Sequence, residues 1–418
     1  MKCDTEVCIT TECWRVEIRM GSHVTVSSRL SSIDAIRGTV MIIMALDHVR
    51  DFFHASAISF SPTDLTKTTP ILFFTRWITH FCLPVFMFAA GMGAFLYGQR
   101  GRTRGQLSRF LLTRGLWFIV SELTVMRLAY DFSFSLSFPV LLLILWIFGV
   151  CMIVMSALVH LPVRWLTALS LVVIVLHDCL DGIDSSKFGS GAWVWNLLHQ
   201  PGAFRFAGEM FVVAYPLVPW VAVMAAGYCF GHVFLLEPAV RRTLMLRIGL
   251  VASIGFFVVR AINLYGDPVP WAHQKSAIFT VLSFLNCTKY PASLDFLLMT
   301  LGPAILLLAY FDGRSFKDSN PIIVFGRVPM FYFVLHFYLI HTLLVVASWL
   351  RYGTSAARFT FELIPSMGGP RDLFPANFGY SLWVVYGVWI LTVALLYPLC
   401  RWFANVKASQ QDWWLSYL

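Results

Sequence analysis

SIDAIRGTVMIIMALDHVRDFFHAS, residues Ser32 to Ser56, decides the fold. Its apolar first part opens a crossing of the ~30 Å hydrocarbon layer of a bilayer. Asp47, His48, Arg50, Asp51 and His54 then follow in the same helical stretch. Ionisable groups at membrane depth are costly unless paired or hydrated, so they mark function by default. Asp47, Arg50, Asp51 and His54 stand at i, i+3, i+4 and i+7, which predicts one reactive face on the first membrane helix.

The rest of the chain agrees with a membrane setting. Of 418 residues, 58% are hydrophobic and 13% charged, with 37 Phe and 15 Trp, and the mean hydropathy is +0.72. Soluble domains carry about 25% charged residues, so a soluble fold is excluded. Apolar runs near 35–53, 71–96, 110–129, 139–160, 164–176, 210–235, 247–263, 277–311, 329–350 and 379–400 predict an all-α, polytopic helical bundle with about ten transmembrane helices. The fifth run is short and the eighth is interrupted. Arg100, Arg102 and Arg104, then Arg241, Arg242 and Arg247, then Arg314, Lys317 and Arg327 fall on one side. The positive-inside rule makes that side cytoplasmic, with both termini inside.

Three segments follow: a cytoplasmic polar tail over 1–30, a transmembrane domain over 31–402, and a cytoplasmic carboxy-terminal tail over 403–418. The first tail lacks the basic and apolar regions of a signal peptide, and Met20 is an alternative start. The net charge of +9 matches anionic inner-leaflet lipid, and no basic polar domain suggests a nucleic-acid partner. Cys3, Cys8 and Cys13 match no zinc spacing, and the remaining cysteines lie in or beside the apolar runs or, as Cys179, at the start of an outer loop. Neither a disulfide framework nor a metal is expected. The longer outside loops, 178–209, 263–277 and 351–380, could dock a polar substrate. Trp193 and Trp195 in the first are either sugar-stacking platforms or interface anchors.

Four polar clusters interrupt the apolar runs. On the first helix, an Asp47 near His48 can orient an imidazole and stabilise its charged form, as a general base requires; the alternative is a structural ion-pair network. Arg76 and His80 stand at i and i+4 near the outer end of the second run, where a guanidinium favours a neutral imidazole. In SFLNCTKYPASLDF, Asn286, Lys289 and Pro291 break the eighth run, and backbone that is not helical at this depth is tolerated only where it is buried or lines a cavity. Lys289 there can hold a carboxylate or another anion. Along GRVPMFYFVLHFYLIH, Arg327 can take a phosphate from the inner side, with His336 and His341 further on as packing or functional histidines.

These residues also carry a resemblance. Ile33-Asp34 and Arg37-Gly38 before the first helix, the tripeptide His54-Ala55-Ser56 after it, and Pro84 to Gly91 on the second resemble the catalytic domain of the heparan-α-glucosaminide N-acetyltransferase family. Gly326 and His336 fit less specifically, and the resemblance covers roughly Ser31 to Trp402. It implies a membrane acetyltransferase that takes acetyl-CoA from the cytosol and acetylates an amino sugar on the far side, with the tripeptide histidine, here His54, in the transfer; for this chain the expected acceptor is an amino or hydroxyl group of a sugar-containing small molecule or glycan. His54, His48, Asp47 and His80 are therefore the candidate catalytic residues. Arg37, Arg76, Lys289, Asn286, Arg327 and His336 are the candidates for binding substrate or CoA. His48 and His54 both stay open as the principal base, and so does the choice between an acetyl-enzyme and direct transfer. The setting expected is a bacterial inner membrane, with membrane lipid and a second copy of the chain as partners. A proton-coupled carrier or flippase is the alternative, because embedded ionisable groups and a broken helix also serve transport.

Overall fold

The computed structural model describes residues 30–133, 138–410 and 412–417. The amino-terminal tail, with its three cysteines, lies outside them. The helices in chain order are α1 (Ser31–Phe53), α2 (Pro70–Trp77), α3 (Cys82–Gly98), α4 (Arg104–Ser121), α5 (Arg127–Asp131), α6 (Ile144–Leu158), α7 (Val163–Leu176), α8 (Ala192–Leu198), α9 (Leu217–Phe230), α10 (Pro238–Ile262), α11 (Ala277–Leu285), α12 (Leu294–Asp312), α13 (Pro321–Arg327), α14 (Pro329–Tyr352) and α15 (Leu382–Ser409). They make an all-α polytopic membrane bundle. Seven helical stretches are long and apolar enough to cross a bilayer: Pro70–Gly98, Val163–Leu180, Leu217–Leu235, Pro238–Ile262, Leu294–Asp312, Pro329–Arg358 and Leu382–Ser409.

The helix that carries the charges sits at the centre. α1 packs against α3, α12, α13, α14 and α15, and its apolar side chains from Ile33 to Phe53 are almost all buried. The periphery has the opposite character: Leu250, Val251, Ile254, Phe257 and Val258 on α10 are exposed, as helices bathed in acyl chains require. Where helices cross closely, glycine makes room. A Cβ on Gly38 would stand 1.7 Å from the Ile322 carbonyl oxygen, and one on Gly326 would stand 1.8 Å from that of Asp34. The α1–α13 crossing is therefore backbone against backbone, the packing mode that small residues allow in membranes.

The eighth apolar run breaks as its sequence predicts, with α11 ending at Leu285 and α12 starting at Leu294. The buried Arg260 of α10 binds the break, donating to the carbonyl oxygens of Phe284, Ser283 and Asn286 at 2.9, 3.2 and 3.1 Å. These carbonyls have lost their helical partners, and one guanidinium fork satisfies three of them. Asp267 completes the brace, accepting from the backbone N–H and hydroxyl of Thr288 and the hydroxyl of Ser293 at 2.7 to 2.8 Å.

A small sheet joins two of the longer loops. Its strands are β1 (Val140–Leu142), β2 (Gly202–Phe206) and β3 (Glu209–Val213), in the order β1-β3-β2. β1 runs parallel to β3 with Val140 opposite Phe211, and β2 is antiparallel with Gly202 opposite Val213. The apolar run at 210–235 thus begins as a strand and becomes helical only at Leu217.

Candidate functional site: a cavity along the first helix

One large cavity, about 780 Å³, runs beside α1. Its wall includes Arg37, Met41, Met44, Asp47, His48 and Asp51 of that helix. Asp51 stands fourteen positions after Arg37, so the cavity extends ~21 Å along the axis at 1.5 Å per residue. The wall is mostly apolar in its middle and polar at both ends.

At the Asp51 end lies the ion-pair network. Arg50 donates to Asp47 at 2.7 Å and to Asp51 at 2.8 Å, and Arg76 of α2 pairs with the other oxygen of Asp47. Both carboxylates and both guanidinium groups are thereby matched inside the bundle, as buried charge requires. Arg76, Lys289 and Tyr290 line the same end, with Tyr215 and the Ser366–Gly368 turn. The Lys289 ammonium lies 5.2 and 5.8 Å from the ring centres of Tyr290 and Tyr215, and the two phenol oxygens are 3.3 Å apart. Cation–π contact holds Lys289 at the wall, and no carboxylate forms an ion pair with it among the described residues.

His48 is the histidine on this wall. Its Nδ1 is buried without a hydrogen-bond partner and lies 3.9 Å from Asp51. The ring packs between Phe337, at 4.2 Å, and His336, at 5.1 Å between centres. His336 is fully buried behind it and donates through Nδ1 to the Tyr332 carbonyl at 3.2 Å. That bond makes Nε2 the acceptor of the neutral ring.

The other candidates lie elsewhere. His54 does not continue the helical stripe: α1 ends at Phe53, and His54 takes extended backbone, φ −76° and ψ 138°. Tyr380 clips the chain there, bonded to Phe53 and Ala55 at 2.7 and 3.2 Å. The Nδ1 of His54 accepts from the Ser56 N–H at 3.1 Å and lies 2.7 Å from its hydroxyl. Burial, and then the charge of Arg50, push the His54 imidazole below its ordinary pKa; protonating Nδ1 would also break the Ser56 cap. His54 is not part of the cavity wall. His80 sits in a 3-10 turn with its ring 5.4 Å from Phe296, also off the wall. Asn286 donates to the Thr63 carbonyl at 3.3 Å, and Arg327 pairs with Asp318. Neither lines the cavity.

At the opposite end, Arg37 donates to the Ala89 carbonyl at 2.7 Å. Tyr97 and Phe110 stack at 4.0 Å and 15°, Arg102 lies 3.7 Å over Tyr97, and Arg114 approaches Phe110 at 5.7 Å. Sequence reading passed over Arg114, Tyr130, Tyr215 and Tyr290. Arg114 had a signal: it shares a helix face with the buried Leu107, Leu111 and Phe118, so it is the polar residue on an apolar stripe. The tyrosines had none, because amphipathic rings are common throughout such a chain. Among the described residues no group of three or more His, Cys, Asp or Glu can hold a metal ion.

Fold and cavity together define a class: a polytopic helical membrane protein with a polar, ion-paired cluster buried beside its central helix. The sequence family "Heparan-alpha-glucosaminide N-acetyltransferase, catalytic" matches residues 29–260. The chain belongs to that family of membrane acetyltransferases, and the matched part carries α1 with Asp47 and His48, the adjoining His54, Arg76 of α2 and the turn with His80. No curated protein matches the chain significantly.

Proposed function

We propose that the protein transfers an acetyl group from cytosolic acetyl-CoA, through the cavity beside α1, to an amino or hydroxyl group of a sugar-containing acceptor at the outer face. The observation that carries this reading is the shape of the cavity. A channel ~21 Å long, from a basic and aromatic end to a buried acid–base cluster, suits the extended pantetheine arm of CoA. Arg37, Arg102, Arg114 and the Tyr97–Phe110 stack offer cationic and planar surfaces for the nucleotide part. The inner orientation of that end rests on the basic loops. Arg102 covers Tyr97, and Arg241 binds Asp312 at 2.8 Å beside the start of α1.

His48 is the base in this reading, because it lines the cavity and has no hydrogen-bond partner among the described residues, whereas Ser56 occupies Nδ1 of His54. Neutral His48 takes the proton of the acceptor as its nitrogen or oxygen attacks the thioester carbonyl. The bond from acyl carbon to acceptor forms, the carbon–sulfur bond breaks, and the proton passes to the departing CoA thiolate. Lys289 and the neighbouring phenols are the donors for the carbonyl oxygen as it gains charge. Asp47, locked between Arg50 and Arg76, fixes the frame of that end.

Calorimetry on the protein in nanodiscs, with acetyl-CoA and free CoA as ligands, tests the reading. Saturable binding of acetyl-CoA is expected, and its absence with folded protein would shift the assignment to a carrier.

A further inference from the structure

A second buried polar cluster lies beyond the cavity, where the outer end of α7 meets the break before α12. His177 Nε2 lies 2.7 Å from the Ala292 carbonyl oxygen. A carbonyl only accepts, so Nε2 carries a hydrogen and donates it. Asp178 Oδ2 accepts from the Leu294 N–H at 2.9 Å. The remaining atoms of the two side chains, His177 Nδ1 and Asp178 Oδ1, face each other at 3.3 Å, buried and without a well-formed hydrogen bond, with the Ile174 carbonyl of the preceding turn also against the imidazole. With Nε2 already protonated, a neutral imidazole and an ionised carboxylate would oppose lone pair to lone pair. A proton between Nδ1 and Oδ1, resident on either, removes the conflict. The side chains are 0% and 4% exposed, so water does not relieve it.

What this pair grips is the segment that carries Lys289 and Tyr290. Ala292 and Leu294 are the backbone groups held, and Ala292 forms a bridge with Lys289. We infer that His177 and Asp178 are a proton-holding positioning pair that sets Lys289 and Tyr290 at the wall of the cavity, and that loss of the shared proton loosens the segment. The surroundings sharpen the effect. Asp181, Asp267 and Asp295 act on Asp178 from its own turn, from the loop before α11 and from α12. His199 of the outer loop lies 2.8 Å from Asp181 and 6.0 Å, ring to ring, from His177. Cys179 and Tyr265 stand 3.7 Å apart beside the same turn. Arg260 is the cation of the group, 3.8 and 3.6 Å from Asp267 and Asp295. Four carboxylates against one guanidinium crowd negative charge around the pair. The bearing of the pair on catalysis rests on the acetyl-transfer reading, whereas the latch itself is measured without substrate.

Asp178→Asn separates charge from shape. Its amide oxygen can accept from Leu294 while its NH₂ donates to His177 Nδ1, so the variant carries the bridging hydrogen permanently. Hydrogen exchange of the 288–294 amides, followed in nanodiscs at about pH 6 and about pH 9 and corrected for the intrinsic rate, reads the latch. In the wild type, protection should fall by about tenfold at the higher pH, the scale of one buried bond lost. In Asp178→Asn it should stay within about twofold of its low-pH value, and in Asp178→Ala it should be low at both. A wild-type profile without a step overturns the inference whether or not any variant folds, and so does Asp178→Asn behaving like Asp178→Ala. Neither result bears on acetyl-CoA binding, so failure here is distinguishable from failure of the proposed function.

Discussion

His48 and His54 are six residues apart, and backbone geometry separates their positions. An unbroken helix would carry both past the same cavity, but the extended turn at His54 sends one of them to cap its own chain. His48→Ala should therefore lower acetyl transfer by ~10²- to 10⁴-fold, the contribution of a general base. Turnover of acetyl-CoA in nanodiscs measures this, with Cys151→Ala, deep in α6, as the packing control. Retention of full turnover by a folded His48→Ala would remove it as the base. The Asp47–Arg76 pair makes a separate statement about stability. Removing Asp47 strands Arg76 in the bundle and should cost ~3 to 5 kcal/mol, whereas removing Arg76 leaves Asp47 with Arg50 and should cost less. Asp47→Leu with Arg76→Met should cost less than the two single changes added together, and thermal unfolding of all four proteins gives that cycle.

At the scale of elements, the close crossing of α1 and α13 holds the cavity wall in place. Gly38→Ala puts a methyl onto a backbone oxygen, and helices must separate to admit it. A loss of ~1 to 3 kcal/mol is expected from such overpacking. Gly387→Ala on α15 is the comparison, since a Cβ there meets nothing within 4 Å and alanine favours the helix. Equal melting temperatures for the two variants would contradict the crossing. The break between α11 and α12 shows a further property of elements: a polar segment survives inside a membrane bundle when each freed backbone group finds a partner. Arg260 and Asp267 supply those partners.

For the whole molecule, the cavity implies a direction. Its Arg37 end gathers the basic loops and its Asp51 end gathers the long loops with the small sheet, so donor and acceptor would meet from opposite sides. In a background lacking Cys179, a cysteine placed at the exposed Lys187 should react with a membrane-impermeant maleimide on intact cells. One placed at Arg102 should react only after permeabilisation. The reverse pattern would invert the orientation and with it the side from which acetyl-CoA enters.

Composition and the spacing of apolar runs were enough to determine the class of fold, because crossing a bilayer demands long apolar helices whatever their neighbours are. The polar residues that interrupt those runs were legible for the same reason: Asp47, His48, Arg76 and Lys289 each stood out against lipid, and all four meet at one cavity. Sequence could not separate His48 from His54, since helical periodicity says nothing about where Tyr380, far along the chain, will clip the helix end. Nor did it give weight to Asp178, Tyr215 or Arg260, whose partners come from other helices and loops. Which polar group reaches the cavity and which braces its wall is decided by long-range packing, and only the tertiary structure contains it.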